Sequence, residues 1–94
     1  MDNSEYKREA EELIEREKYE DALELINRAI EIDDKDADAL LIKAKALHYM
    51  NNCEEAIIII NKCLEISPKD AYFLRVKGNI LNSMGKYHDA LFVI

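Results

Sequence analysis

The chain of 94 residues is long enough for one small domain, and 49% of its residues are hydrophobic, which excludes a disordered chain. Its formal net charge of −7 disfavours binding to nucleic acid, because that binding depends on Lys and Arg side chains that neutralise phosphates. No apolar run approaches the roughly 18 residues of a membrane span, and the charged N-terminal segment lacks the apolar core of a signal peptide. We therefore expect a cytoplasmic protein that binds neither membranes nor nucleic acids.

The first two predicted helices form a pair joined by a short turn. The first helix begins after a capping residue, Asn3 or Ser4, and breaks near Glu17. The second helix begins at about Tyr19, and its apolar residues recur at the spacing of one helical face. Glutamate fits the left-handed conformation of a helix end less well than glycine or asparagine, so this first break has the weakest sequence signal.

A second pair of helices follows with the same layout. Asp36 precedes it, and its carboxylate can accept hydrogen bonds from the free amides of the first helical turn. The third helix breaks at Asn51, which tolerates the left-handed conformation, and the fourth helix begins at Cys53. Pro68 ends the fourth helix, because proline disfavours helical geometry in the residue before it.

The third pair is incomplete. We expect Asp70 to cap the fifth helix, Gly85 to end it, and Tyr87 to open a sixth helix that is truncated at Ile94. Loops of roughly two to five residues join all these helices, so consecutive helices should pack antiparallel. The predicted fold class is therefore all-α.

The three pairs repeat with a period of 34 residues. Five columns of apolar or small residues recur at this period: Ala22, Ala56 and Ala90; Leu13, Leu47 and Leu81; Ile26, Ile60 and Ile94; Tyr6, Leu40 and Leu74; and Ala10, Ala44 and Gly78. A period in this range predicts a solenoid, in which each unit buries its apolar face by stacking on its neighbours. The small residues in two of the columns predict that the two helices of a unit approach closely.

Two segments, 17–23 and 85–91, share a motif that is typical of one family of helical repeats. Each contains Lys-Tyr, one variable residue and then Asp-Ala-Leu, and Pro68 closes the second unit. Together with residues 71–85, this pattern resembles the tetratricopeptide repeat (TPR) proteins, whose unit is a helix–turn–helix of 34 residues. The resemblance implies a right-handed solenoid of antiparallel helix–turn–helix repeats with six helices, the last truncated. It implies a single TPR domain over residues 1–94, with repeats at about 3–36, 37–70 and 71–94.

One column departs from the family pattern. Glu9, Lys43 and Lys77 precede the small residue of each first helix, where the family usually has an apolar residue. Either the stems of these side chains lie across apolar surface with their charged heads in water, or Ile42 and Val76 carry the packing at these positions.

The resemblance also implies a concave groove, lined by the first helix of each unit, that holds a peptide or a partner's helix. The main candidate residues are Leu41, Lys45, His48, Tyr49, Tyr72, Arg75, Asn79 and Asn82, with Lys7, Glu11, Ile14, Ile42 and Val76 in the same lining. Aromatic, basic and amide side chains in such a mixture suit peptide recognition. The alternative is a solvated surface that binds nothing.

The carboxylate clamp of chaperone-cofactor TPR domains is not expected here. Only Lys7 matches that clamp, and its other positions are occupied by Glu11, Ile42, Tyr72 and Val76. A separate possibility is that Lys45 and Arg75, with Asn79, hold a carboxylate by charge-assisted hydrogen bonds.

No residue cluster predicts catalysis, a cofactor or a metal site. His48 has no Cys, Ser or carboxylate at helical spacing with which it could form a catalytic pair. Cys53 and Cys63 lie roughly 15 Å apart along one predicted helix, too far for a disulfide, and no metal-ligand spacing is present. Both cysteines should be small buried residues, and an enzyme is not expected.

The apolar segment 90–94 indicates a second surface. A further repeat or cap would normally cover Leu81, Met84, Leu91 and Ile94. Ile58 and Phe92 lie in one column that should face outward, where the family is usually polar, and they enlarge the exposed apolar area. An exposed apolar patch of this kind marks an interface. Either the chain is part of a longer TPR array, or two copies associate end to end, with or without exchange of the last helix.

We therefore expect a non-catalytic scaffold or adaptor that binds a protein or peptide in the groove. The alternative is a module that forms homo-oligomers through its C-terminal repeat. Helical-repeat RNA binding is disfavoured by the acidic charge and by the lack of a basic stripe.

Overall fold

A computed structural model describes the backbone of residues 2–93 and the side chains of residues 2–85. Over these residues the chain forms five α-helices and no strand: α1 (Asn3–Glu15), α2 (Tyr19–Ile32), α3 (Ala37–Tyr49), α4 (Cys53–Ile66) and α5 (Ala71–Val93). Each helix packs against the next, and α3 also contacts α1 and α5. The predicted all-α architecture of stacked helical repeats is confirmed.

Aspartates one period apart cap the first helix of each unit. The Asp36 carboxylate accepts from the Ala39 amide at 3.2 Å, and the Asp70 carboxylate accepts from two amides of the first turn of α5, as predicted. The predicted cap of α1 was wrong. Asp2 caps this helix by accepting from the Glu5 amide at 2.9 Å, and Asn3 is already helical.

The turns inside the first two units end their helices with a left-handed residue. Glu17 has φ 62° and Asn51 has φ 64°, so both predicted breaks are confirmed. The Lys18 amide donates to the Leu13 carbonyl at 2.8 Å, and the Glu17 amide donates to the Ile14 carbonyl at 2.9 Å. These two bonds form a Schellman motif, and the same pair of bonds closes the turn at Asn51.

The predicted third break, at Gly85, was wrong. Helix α5 runs through this position to Val93, so the described chain has five helices where the sequence predicted six. Neither glycine adopts a positive φ. Glycine permits the left-handed conformation without imposing it, and the ordinary hydrogen bonds of the helix are enough to carry α5 onward.

Two connected clusters of buried side chains hold the helices together. The first core cluster joins α1, α2 and α3, and consists of Ala10, Ala22, Ile26, Ala29, Ala39 and Ile42. The second core cluster joins α3, α4 and α5, and includes Leu40, Leu41, Ala44, Leu47, Ala56, Ile60, Phe73, Val76 and Ile80. Leu23 and Ile30 pack against both clusters, which makes the core continuous along the stack.

The small columns of the repeat lie where helices meet. Ala10 and Ala44 on the first helices, and Ala22 and Ala56 on the second helices, have no exposed surface. In the charged column, Lys43 and Lys77 directly follow Ile42 and Val76. These two apolar residues are buried and carry the packing at this position of the repeat.

Candidate peptide-binding groove

The first helices of the three units, α1, α3 and α5, lie side by side and are linked by polar side chains. Three pairs of residues make these links across neighbouring helices: Lys7 with Asp36, His48 with Ser83, and Lys45 with Tyr72. The contacts place polar side chains of the three helices next to one another, in the region where the groove was predicted.

Asp36 joins the first unit to the second. Its Oδ2 accepts from Lys7 Nζ at 3.0 Å and from the Asn3 side-chain amide at 3.3 Å, while Oδ1 caps α3. Partial burial disfavours the charged carboxylate, but the hydrogen bonds from Lys7, Ala39 and Asn3 and the charge of Lys7 outweigh it and lower the pKa of Asp36. Lys7 is therefore engaged in holding α1 against α3.

Tyr72 of α5 is in contact with two cations, one from α3 and one from its own helix. Lys45 Nζ of α3 donates to the Tyr72 hydroxyl at 3.3 Å, and the Arg75 guanidinium of α5 lies 5.1 Å from the centre of the Tyr72 ring. Within the described side chains, neither Lys45 nor Arg75 has a carboxylate oxygen within 4.0 Å. The structure thus places two cations on one aromatic ring in an acidic protein.

A recess of about 210 Å³ lies between α1 and α3, next to this cluster. It is lined by Glu11, Ile14, Glu15, Ile42, Lys45 and Tyr49. The Tyr49 ring is 53% exposed and stacks on Tyr19 of α2 with the ring centres 5.4 Å apart. The lining thus combines apolar residues of both helices with acidic residues of α1 and the basic Lys45 of α3.

His48 connects α3 to α5 at the far side of the surface. Its Nε2 lies 2.8 Å from Ser83 Oγ, and the Ser83 hydroxyl donates to the Asn79 carbonyl at 3.2 Å. When the Ser83 hydroxyl donates to the Asn79 carbonyl, its single proton is used there and His48 Nε2 is the donor to Ser83. The contact joins the two helices.

The comparison with known families agrees with this architecture. The tetratricopeptide repeat family matches the chain over residues 13–80, from the end of α1 to the middle of α5. The chain belongs to the tetratricopeptide repeat family. TPR repeats are generally protein–protein interaction modules, which fits the surface described above. Comparison with curated proteins gives no match.

The candidate residues of this TPR domain fall into distinct environments. Lys45 and Arg75 meet at Tyr72, and Lys45 also lines the recess with Tyr49. His48 is half-buried and contacts Ser83. Asn79 and Asn82 are exposed on α5. Leu41 is 8% exposed and belongs to the second core cluster, so it packs inside the domain and does not line the groove surface. The reason is that α3 lies between α1 and α5 and is covered from both sides.

The residues suggested for self-association are described only in part. Ile58 is 57% exposed and Leu81 is 49% exposed, while Met84 is half-buried and packs against the second core cluster. Leu91, Phe92 and Ile94 lie outside the described side chains.

Sequence reasoning missed several residues that shape the groove. Asp36 was predicted only as a helix cap, and Ser83, Glu15 and Tyr19 were not among the predicted groove residues. A signal was available for two of these contacts. Asn3 with Asp36 and His48 with Ser83 are 33 and 35 residues apart, close to one period, which is the spacing that brings neighbouring first helices together.

The two thiols of the TPR domain are buried away from this surface. Cys63 has no exposed surface, and its thiol donates to the Ala37 carbonyl at 3.5 Å. Burial raises the pKa of Cys63 to about 11, and the carboxylates of Asp38 and Asp70 add to the effect. The thiol therefore stays protonated near neutral pH and is a poor nucleophile.

Two further findings concern the described residues alone. No group of three or more His, Cys, Asp and Glu side chains in this part of the chain is arranged to hold a metal ion. None of the helices in it combines the length and the apolar composition needed to cross a membrane.

Proposed function

We propose that this TPR domain is a non-catalytic adaptor that binds a segment of a partner protein across α1, α3 and α5. The observation that carries the proposal is the pair of cations at Tyr72. Lys45 and Arg75 have no carboxylate partner among the described side chains, and both can donate charge-assisted hydrogen bonds to an acidic ligand.

The charges around the recess define the kind of segment that fits. An apolar side chain of the partner would enter the recess between Ile14 and Tyr49. Acidic residues on one side of this anchor would face Lys45 and Arg75, and a basic residue on the other side would face Glu11 and Glu15. The proposed ligand is therefore a peptide or helix with an apolar anchor and charges of opposite sign at its two ends.

The proposal can be tested with an arrayed peptide library in which one apolar anchor is flanked by acidic, basic or neutral residues. We expect the wild-type domain to prefer peptides with acidic residues on one side of the anchor. Arg75→Glu should lower the affinity for those peptides by about tenfold or more, because it replaces an attractive charge by a repulsive one.

The matched control is Lys35→Glu, which changes the net charge equally at an exposed position in the loop between α2 and α3. This variant should bind the same peptides as the wild type. Equal peptide binding by Arg75→Glu and by the wild type would contradict the proposal.

A second candidate function is self-association through the C-terminal repeat. It is favoured by the exposed leucines of α5, since Leu74 is 50% exposed and Leu81 is 49% exposed. A further repeat of a longer array is the alternative cover for such a surface. The two candidate functions use different faces of α5 and can operate in the same molecule.

A further inference from the structure

Helix α5 has one face on the core and one open apolar face. Phe73, Val76 and Ile80 are between 0% and 8% exposed and pack in the second core cluster. Leu74, Gly78 and Leu81 form the open face, where both leucines are about half exposed. A Cβ atom built on Gly78 would meet no atom within 4 Å, so this face borders empty space.

The same face is fully covered in the second unit. Leu40, Ala44 and Leu47 hold the equivalent positions on α3 and are 4%, 0% and 3% exposed. They belong to one cluster with Ala56 and Ile60 of α4, the second helix of the same unit. The open face of α5 is therefore a surface that the repeat normally covers with its own second helix.

The third unit contains the sequence of such a covering helix but does not fold it back. Ala90 and Ile94 continue the columns of Ala56 and Ile60 at the repeat period. The backbone of residues 86–93 continues α5 as one helix. A segment that continues a helix cannot cover an earlier face of that helix, so residues 86–93 do not cover the open face of their own α5.

We propose that a second copy of this chain supplies the cover. In this arrangement two α5 helices pair antiparallel, and residues 86–93 of each copy lie on the open face of the other. The proposal rests on the self-association candidate described above and deepens it by naming the segment that is exchanged. It is favoured over an unrelated partner because the chain itself carries the residues that fill this face in the other units.

The register of the exchange follows from the second unit. In the second unit, the thiol of Cys63 contacts the carbonyl of Ala37. Ala37 and Cys63 are equally distant in sequence from Met50, the residue at which the chain turns from α3 towards α4. One period later, the equivalent centre is Met84. Two exchanged α5 helices should therefore cross near Met84 and Gly85, with a two-fold axis that makes both contacts identical.

The first test is the mass of the full chain in solution, measured by light scattering after size exclusion. We expect a dimer, twice the 10.9 kDa of one chain, at micromolar concentration. Leu81→Glu should shift the population to monomer, because it places a charge in the exchanged contact. Ile32→Glu is the matched control, since Ile32 is 61% exposed at the end of α2 and should leave the dimer intact.

The second test separates exchange from simple contact between two leucine patches. Gly85→Cys should form a disulfide-linked dimer under mild oxidation, because the two introduced thiols meet near the two-fold axis. Lys35→Cys, an exposed position far from α5, should not form one. Ala90→Glu should give a monomer, as Leu81→Glu does, with the helix content of each variant checked by circular dichroism.

The outcomes distinguish self-association of the chain from exchange of the C-terminal segment. A wild-type chain that stays monomeric at high micromolar concentration would overturn both self-association and exchange. A dimer that forms no Gly85→Cys cross-link, or that persists in Ala90→Glu, would overturn the exchange alone. Peptide binding in the groove is measured separately and does not depend on either result.

Discussion

At the scale of single residues, the groove is built from side chains that have two roles. Asp36 caps α3 through one carboxylate oxygen and binds Lys7 and Asn3 of α1 through the other. Tyr72 likewise joins α3 to α5 by accepting from Lys45 while it lies against Arg75. The stacking of the units and the electrostatics of the groove therefore depend on the same few residues.

Asp36→Asn should destabilise the domain at neutral pH by about 1 kcal/mol, since asparagine can still cap α3 but loses the ion pair with Lys7. The folded-state pKa of Asp36 is lowered, so its contribution is present above the unfolded-state pKa and is lost as the pH falls through the folded-state value. Urea unfolding at pH 7 and at about pH 2 measures this difference, which should vanish in acid.

The control for this prediction is Asp34→Asn. Asp34 is exposed in the loop before α3, and its replacement removes the same charge without touching Lys7. An equal loss of stability in the two variants, or a loss in Asp36→Asn that persists at low pH, would show that the ion pair does not contribute as described.

At the scale of the helices, the turn residues decide how each unit is built. Glu17 and Asn51 adopt the left-handed conformation and let α2 and α4 fold back, although both carry a side chain that disfavours it. Gly85 could adopt this conformation most easily and remains helical. The tendency of a residue to allow a turn is thus a poor guide to whether a turn forms.

Gly85→Ala tests whether α5 is a continuous helix through residue 85. In a continuous helix, alanine should raise the free energy of unfolding by about 0.5–1 kcal/mol, because it lowers the entropy of the unfolded chain and nothing lies within 4 Å of the added Cβ. If Gly85 were a left-handed turn, the same change would destabilise the protein. Thermal and urea unfolding of the variant give the sign.

Gly78→Ala is the internal reference for that measurement. Gly78 is also helical and has equally open space around it, and its column contains alanine in the other two units. Gly78→Ala should raise the free energy of unfolding by a similar amount. A loss of stability in Gly85→Ala beside a gain in Gly78→Ala would place a turn at residue 85.

At the scale of the whole molecule, the 34-residue period predicted the stacked helices, because residues at equivalent positions of each unit make equivalent contacts. Ala22 and Ala56 are buried where the period places them, and Asp36 and Asp70 cap their helices as the column suggests. Asp2 lies one further period upstream, so the true cap of α1 could also have been predicted.

Other features could not be read from a repeated pattern, because they depend on what surrounds each unit. Leu41 shares its column with Lys7 and Arg75, yet it is buried because α3 is covered on both sides. The contact between Lys45 and Tyr72 does not follow the period and depends on the reach of two long side chains between helices. The continuation of α5 past Gly85 depends on the difference in free energy between a turn and a continued helix at this position. No single residue of the sequence determines that difference.

Amide chemical shifts, measured while the domain is titrated with the tightest-binding peptide of the library, show whether the groove is the binding site. Binding across α1, α3 and α5 predicts that the largest shifts lie at residues around the recess and the cation pair, such as Ile14, Lys45, Tyr49 and Arg75. The shifts should be strongly reduced in Arg75→Glu. Shifts confined to α2 and the outer face of α4, with Lys45 and Arg75 unaffected, would contradict this account.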